Sequence, residues 1–425
     1  MPSIRPFNAV IYNKKKIKKI SKVLAPPYDI IPPDMQDELY RIHKNNVVRL
    51  ILGKTNKNDT EINNRYTRAA SDFRAWLKKD ILIEDSAPAI YIYTQTYACD
   101  DKKIDRVGFI SLMELDLEDK KVLPHEKTLS APKEDRLRLL RQIKANLSPI
   151  FMLYEDAGHK VNNILKSYSK NTKPFIDVNI DSVRHRVWAM TDKTAIKRAG
   201  DLISKKDIFI ADGHHRYETS KNYARELIVS RASQSRIDSA KFFMAYFVEL
   251  EEKSLSILPT HRLIKDARGL SAEEIVERLE KYFVVEKVSS RNKLLKRLNA
   301  LKTCHALGMC LKNNFYVLKL KDFEKAKTFM GEGSAAWKSL DVSILHLFVL
   351  KHVLEISDED DNVEFVKDPN DAFKAIDKGG FKIAFFLNPT KVTQVKKVAE
   401  HGEKMPRKAT YFYPKPISGL VFRKM

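Results

Sequence analysis

The chain has 425 residues, 43% hydrophobic and 31% charged, a globular balance that excludes wholesale disorder and suggests two or three packed units. Lysine and arginine number 77 against 55 acids, a formal charge of +22. That surplus draws in polyanions, whether nucleic acid or small phosphorylated substrates. The three cysteines, Cys99, Cys304 and Cys310, match no metal or redox spacing, and no apolar run approaches the ~18 residues of a membrane span. The segment Met1–Pro6 lacks the apolar stretch of a signal peptide, so a cytoplasmic protein with reduced thiols is expected.

The run Lys14-Lys15-Lys16-Ile17-Lys18-Lys19 predicts a solvated hairpin or loop. Ala25-Pro26-Pro27-Tyr28-Asp29 and Ile31-Pro32-Pro33 must be extended or turning, because proline fixes its own φ and restricts its predecessor. A helix follows from Asp34 to His43, and the spacing of Tyr66, Ala69, Ala70, Phe73, Trp76 and Leu77 predicts another over Ile62–Lys79. The alternating stretches Ile90–Tyr97 and Arg106–Leu115 flank Asp100-Asp101-Lys102-Lys103 and predict a hairpin. Then come helix Glu134–Ala145, strand Pro149–Tyr154, strand Arg184–Met190, helix Asp192–Asp201, core strand Asp207–Ala211 and helix Arg216–Val229. Two core strands, Phe242–Leu250 and Leu255–Leu258, surround the acidic turn Glu251-Glu252.

From about residue 270 a second α/β unit is expected. Its helices are Ala272–Tyr282, Arg291–Leu301 and the apolar Ser343–Glu355, and its strands Ala306–Leu311, Phe315–Leu320 and Phe381–Leu387. Met405–Lys415 carries too much proline and charge for a core element.

The sharpest chemical signal is Asp212-Gly213-His214-His215-Arg216, placed between a core strand and a helix. Backbone N–H groups at a helix N-terminus lack partners, and the dipole there favours anions. Gly213 permits positive φ or close approach, Arg216 offers a planar fork to phosphate oxygens, and His214 and His215 add donors or acceptors. Asp212 could hold Mg²⁺ or orient a histidine. The alternative is a plain Asp-capped turn. Zinc on His214 and His215 lacks a third ligand at standard spacing.

His125-Glu126, followed by Thr128, is a second constellation, in which the carboxylate could act as a general base or merely cap the next helix. Three further segments mix rigid backbone with polar side chains and read equally as ordered loops or cleft walls. They offer Tyr28 and Asp29, then His261 and Arg262, then Lys408, Thr410 and Lys415 as substrate-binding candidates. No phosphate-binding loop ending in Gly-Lys-Ser/Thr, dinucleotide glycine fingerprint or kinase glycine loop is present.

Together Arg5-Pro6-Phe7, Ala25–Asp29, Asn46–Leu50, His125–Thr128, Asp135-Arg136, Ala211–Thr219, Pro259–Arg262, Leu340–Val342 and Met405–Lys415 resemble a bacterial and archaeal family catalogued as a domain of unknown function. The resemblance covers nearly the whole chain. The core motifs are similar to those of the free-serine kinases of the ParB/sulfiredoxin superfamily, in which a Pro-His-Glu segment precedes an Asp-Gly-His-His-Arg turn. Pro124-His125-Glu126 and Asp212–Arg216 stand in that order here.

The resemblance implies a mixed α/β fold with a ParB/sulfiredoxin-like catalytic core at 86–268, an N-terminal α/β region at 1–85 and a C-terminal α/β region at 269–425 that contributes a closing loop. It implies phosphoryl transfer to a small metabolite hydroxyl, with free L-serine as first choice. Glu126 would be the base, with His214 and Asp212 as further catalytic residues, and Gly213, His214, His215 and Arg216 would hold the phosphates of ATP, ADP or pyrophosphate with Mg²⁺. Two departures stand out. The spacing between Glu126 and Asp212 is longer than in the compact kinases, and both flanking regions lack a counterpart there. The rival readings are a ParB-like nucleotide-sensing or nucleic-acid-associated regulator, disfavoured by scattered basic residues and the lack of a helix-turn-helix, and a phosphatase using the same turn.

Overall fold

The computed structural model describes residues 3–99, 102–118, 121–126, 128, 130–251, 254–356 and 361–425. Asp100 and Asp101 of the expected hairpin turn, Lys127 of the His125–Thr128 motif and Glu252 of the acidic turn lie outside the described residues. The fold is mixed α/β and divides into two compact units. The first comprises Met1–Pro124, Thr128–Ser256 and Pro414–Met425, and the second His125–Lys127 and Ile257–Tyr413.

Among the described residues, the first unit holds a nine-stranded sheet. Its order is Val122–Leu123, Ile208–Asp212, Ile150–Tyr154, Phe242–Glu249, Lys102–Glu114, Ile90–Cys99, Val183–Met190 and Ile176–Ile180, with Ile4–Arg5 also paired to Lys102–Glu114. The expected hairpin is the centre of this sheet, in antiparallel register with Tyr91 opposite Ile110 and Tyr97 opposite Ile104. Phe242–Glu249 runs parallel to Ile150–Tyr154, and Ile208–Asp212 antiparallel to it.

Period-2 alternation sends Ile90, Ile92, Phe109, Met152, Tyr154, Ile210 and Phe247 to one face. There they meet Leu137 and Leu140 of helix Ser130–Ile143, Val161 and Leu165 of Lys160–Lys170, Ala199 and Ile203 of Lys193–Ile203, and Tyr217 and Leu227 of His214–Val229. The opposite phase carries Tyr91, Tyr93, Phe151 and Tyr246, with Tyr93 and Tyr246 ring centroids 4.8 Å apart. The chain's two ends meet in this unit. Tyr12 packs edge-on against Phe422 at 5.8 Å, and Phe73 of helix Arg65–Lys78 meets the same ring at 6.2 Å.

Local chemistry sets the ends of the elements. The helix expected over Ile62–Lys79 begins at Arg65 because the Asn64 side chain accepts from the Tyr66 and Thr67 N–H groups. Asp192 caps Lys193–Ile203 in the same way. The lysine run is an exposed turn from which only Ile17 is buried.

Among the described residues, the second unit holds a six-stranded sheet in the order Phe283–Val288, Asn314–Leu320, Ala306–Leu311, Ile383–Phe386, His261–Ile264, Val363–Val366. Leu294 and Leu298 of helix Arg291–Ala300 and Phe373 and Ile376 of Pro369–Asp377 pack on Leu263, Cys310, Ala384 and Phe386. One expectation changes here. His261 and Arg262 lie on a core strand, not on a loop or cleft wall. The buried helix expected over Ser343–Glu355 is present and winds as a π-helix over Ile344–Leu354; its side chains are apolar nearly all round and mostly buried, so packing on several sides sets its geometry more than one amphipathic stripe.

The proline-rich end also departs from expectation. Tyr411–Tyr413 is a strand, and Ile417, Ser418, Leu420, Val421 and Phe422 are buried. No helix of the described residues is long and apolar enough to cross a membrane, and the three cysteines are free thiols.

Candidate functional site

Strand Ile208–Asp212 ends at a glycine, and helix His214–Val229 begins directly after it. Gly213 takes φ +100, and a Cβ built there would lie 2.8 Å from Arg216 Nη2. Both the left-handed backbone and the close guanidinium require glycine. The helix starts directly at this turn with Gly213 as its N-cap, and the positive end of its dipole points there. His214 is buried in that turn and its neighbour His215 is half-buried.

Arg216 Nη2 donates to Asp212 Oδ2 at 2.8 Å, and Nη1 donates to the Pro149 carbonyl. Those bonds use two of the five N–H groups of the guanidinium. The other Asp212 oxygen pairs with the ammonium of Lys415, which also donates to Asp29 Oδ2. Lys415 is therefore a buried cation bridging two carboxylates, 386 residues from Asp29 in sequence. Burial alone would raise the Asp212 pKa, but Lys415 and Arg216 overcome it and hold the carboxyl well below the usual carboxylate range. Burial would lower Lys415, but Asp212 and Asp29 hold it well above an ordinary lysine.

Tyr28 joins the same cluster. The Arg136 guanidinium lies 4.0 Å from its ring centroid, and burial raises the phenol's pKa against the pull of Arg136. Arg136 donates to the Ile51 carbonyl at 2.7 Å and pairs with Asp135, which accepts from Tyr66 at 2.8 Å and pairs with Arg65. Tyr28, Arg136, Ser148, Arg216, Thr219 and Ser220 help line a recess of about 70 Å³ floored by Leu139, Ile150 and Phe243. Of the expected site residues, Tyr28, Asp29, Asp212, Gly213, Arg216 and Lys415 thus come together in the first unit.

Magnesium at Asp212 does not fit this arrangement, because both carboxylate oxygens already face cations.

In the second unit His125 Nε2 lies 3.1 Å from Thr410 Oγ1, and the Met405 N–H donates to the His125 carbonyl at 2.8 Å. Glu126 forms a parallel bridge with Met405 and is half-buried. Thr128, which belongs to the first unit, is half-buried as well. His261 and Arg262 occupy the interior of the second unit rather than a cleft wall. Burial lowers His261 to about 4 and Arg262 to about 9. Arg262 donates to His346 Nε2 at 3.1 Å and to the carbonyls of Arg407 and Lys408 at 2.9 and 3.2 Å. It positions that loop, and the Lys408 side chain itself is exposed with φ +53.

Arg106 escaped the sequence reading. It is 0% exposed, donates to Gln95 Oε1 at 3.1 Å and to the Pro414 carbonyl at 2.7 Å, and lies over the Phe151 ring. It pins the tail one residue before Lys415. The only signal was an arginine in phase with buried positions of a core strand.

No curated relative matches the chain in sequence. Among solved structures it is similar to a conserved hypothetical protein from Pyrococcus furiosus, at 13% identity and a TM-score of 0.32 over 71% of this chain and 90% of that one. A free serine kinase in complex with AMP gives 16% identity and 0.33, over 73% and 88%. SbnI with C-terminal truncation from Staphylococcus aureus gives 12% and 0.35, over 73% and 86%. Likeness of this degree carries no argument about chemistry. The family comparison is of another order, since the family model matches residues 4–343. The chain belongs to the family described as Protein of unknown function (DUF1015).

Proposed function

We propose that the chain is a phosphotransferase that moves a phosphoryl group onto the hydroxyl of a small metabolite, with free L-serine as the first acceptor to test. The observation that carries this reading is the meeting of Arg216, Lys415 and the N-terminus of helix His214–Val229 at the turn after Ile208–Asp212. Among the described residues, the linked cluster sets four cations (Arg65, Arg136, Arg216, Lys415) against three carboxylates (Asp29, Asp135, Asp212). The surplus positive charge adds to the roughly +0.5 charge of a helix N-terminus. Phosphoryl transfer asks mainly for positioning and for stabilisation of spread negative charge. Three of the five Arg216 N–H groups remain for a phosphate once Asp212 and Pro149 are served.

The recess of about 70 Å³ beside Arg216 is lined in part by Arg136, Ser148, Thr219 and Ser220, side chains able to donate to phosphate oxygens. ATP, ADP and pyrophosphate are the donors to test. The role of base, which the resemblance gives to Glu126, belongs to the same proposal.

The test is to incubate the purified chain with L-serine and, in turn, ATP, ADP and pyrophosphate, and to measure O-phosphoserine by mass spectrometry. Product from at least one donor is expected, with a loss of ~100-fold in Arg216→Ala. No phosphoserine from any donor overturns the serine reading, and full activity in Glu126→Gln overturns the base assignment.

A further inference from the structure

A second cluster of chemistry-bearing side chains lies at the other end of the large sheet. Ile208 faces Tyr154 across the antiparallel pair while Asp212 faces Phe151, so the Tyr154 end is roughly 13 Å along the strands from the turn described above. Here the parallel strands Ile150–Tyr154 and Phe242–Glu249 finish side by side, with Tyr154 in register with Glu249. Residues in register point to the same face.

Glu249 is only 3% exposed. Its Oε1 lies 2.6 Å from His159 Nδ1, and its Oε2 accepts from Asn162 Nδ2. The ligand atoms of His159, Glu249 and Glu251 all lie within 4.8 Å of one another. Two further oxygens point to something missing. The Tyr154 hydroxyl and Asn162 Oδ1 are buried with no hydrogen-bond partner, and both side chains belong to residues that neighbour Glu249. Buried oxygens left without a partner beside a buried carboxylate call for an ordered water or an ion. Asp156 is held apart by the Val161 N–H at 2.8 Å and Lys206 at 3.3 Å, so it adds charge without competing as a ligand.

We propose that His159, Glu249 and Glu251 bind a divalent transition-metal ion that fastens helix Lys160–Lys170 to the end of the central strands. An imidazole with two carboxylates suits Zn²⁺ or Mn²⁺, whereas Mg²⁺ and Ca²⁺ prefer all-oxygen shells. Ligand atoms around tetrahedral zinc stand roughly 3.3 Å apart. A metal held by His159 Nδ1 and Glu249 Oε1 replaces the hydrogen bond between them, and the two atoms move slightly apart.

Tag-free full-length protein, stripped with EDTA and dialysed, is titrated calorimetrically with ZnCl₂, MnCl₂ and MgCl₂ in separate arms. One saturable site for zinc or manganese is expected, tighter than magnesium, with a thermal midpoint that rises with the bound ion. His159→Gln and Glu251→Gln should each weaken binding at least ~tenfold while the far-ultraviolet circular dichroism stays unchanged. Absence of a saturable site, equal affinity for magnesium, or undiminished binding in both variants overturns the proposal. The metal itself is the readout, so the result stands apart from any phosphotransferase activity.

Discussion

Lys415 is a buried cation with two carboxylate partners. It answers the partly buried Asp212 and the exposed Asp29, and removing a buried cation strands the charge of a partly buried partner. Lys415→Met should therefore lower stability by about 3 kcal/mol in urea at neutral pH. A loss below about 1 kcal/mol would show that the carboxylates do not rely on it. The pH window follows from the two directions. Asp212 is depressed, so its contribution is present above the unfolded value near ~4 and is lost only as pH falls through the folded pKa. Lys415 is raised, so its contribution is present below ~10 and is lost only as pH rises through the folded pKa. The deficit in the variant should be flat between about pH 5 and pH 9.

His185 behaves in the opposite sense. It is buried against Tyr93, with the phenol oxygen 2.7 Å from Nδ1, and burial lowers it to about 4. Between that value and the unfolded ~6.5 the unfolded chain binds more protons, so stability falls as pH falls. The full drop is about 3 kcal/mol. His185→Gln should flatten that slope in denaturation curves taken from pH 7 to pH 5. An unchanged slope would place the acid sensitivity elsewhere.

At the scale of elements, the strand–glycine–helix turn is the tightest piece of local design. Gly213→Ala meets an unfavourable φ and a guanidinium 2.8 Å from the new Cβ, and should cost about 1–2 kcal/mol. Asparagine tolerates positive φ better than alanine does, yet it carries the same Cβ. Gly213→Asn should therefore give no rescue in thermal melts. Recovery to the wild-type midpoint would mean that φ alone matters.

This turn was legible because apolar strand, glycine and polar residues follow each other within ten positions. The central hairpin was legible from clean alternation. The π-helix was not, since Ile344–Leu354 is apolar in every phase and any helical period fits it. Strand His261–Ile264 was hidden because Pro259 and two basic side chains read as a loop, and only burial against Phe386 and His346 reveals a core strand. Of the candidate residues, Lys415 and Asp29 were named one by one in the sequence, but nothing local said that they meet.

At the scale of the whole molecule, the first unit is discontinuous. Residues 257–413, with His125–Lys127, form the second unit, and only then does Pro414–Met425 return to the first. That return buries Ile417, Leu420, Val421 and Phe422, gives Arg106 the Pro414 carbonyl as an acceptor and delivers Lys415. A chain stopped after Tyr413 should lose the cooperative unfolding transition of the first unit, read by near-ultraviolet circular dichroism on heating. A truncated chain that melts with the full chain's midpoint would show that the return is ornamental.

The order of synthesis gives the returning tail a further meaning. A ribosome emits Asp29, Asp212 and the entire second unit before Lys415 appears, and contacts spanning more than 300 residues close late and slowly. Until then Asp29 and the partly buried Asp212 lack their shared cation, and Arg106 lacks its Pro414 acceptor. Messages that end early therefore yield chains in which Lys415 never reaches Asp212, so the ion-pair network of the turn is completed only in finished protein.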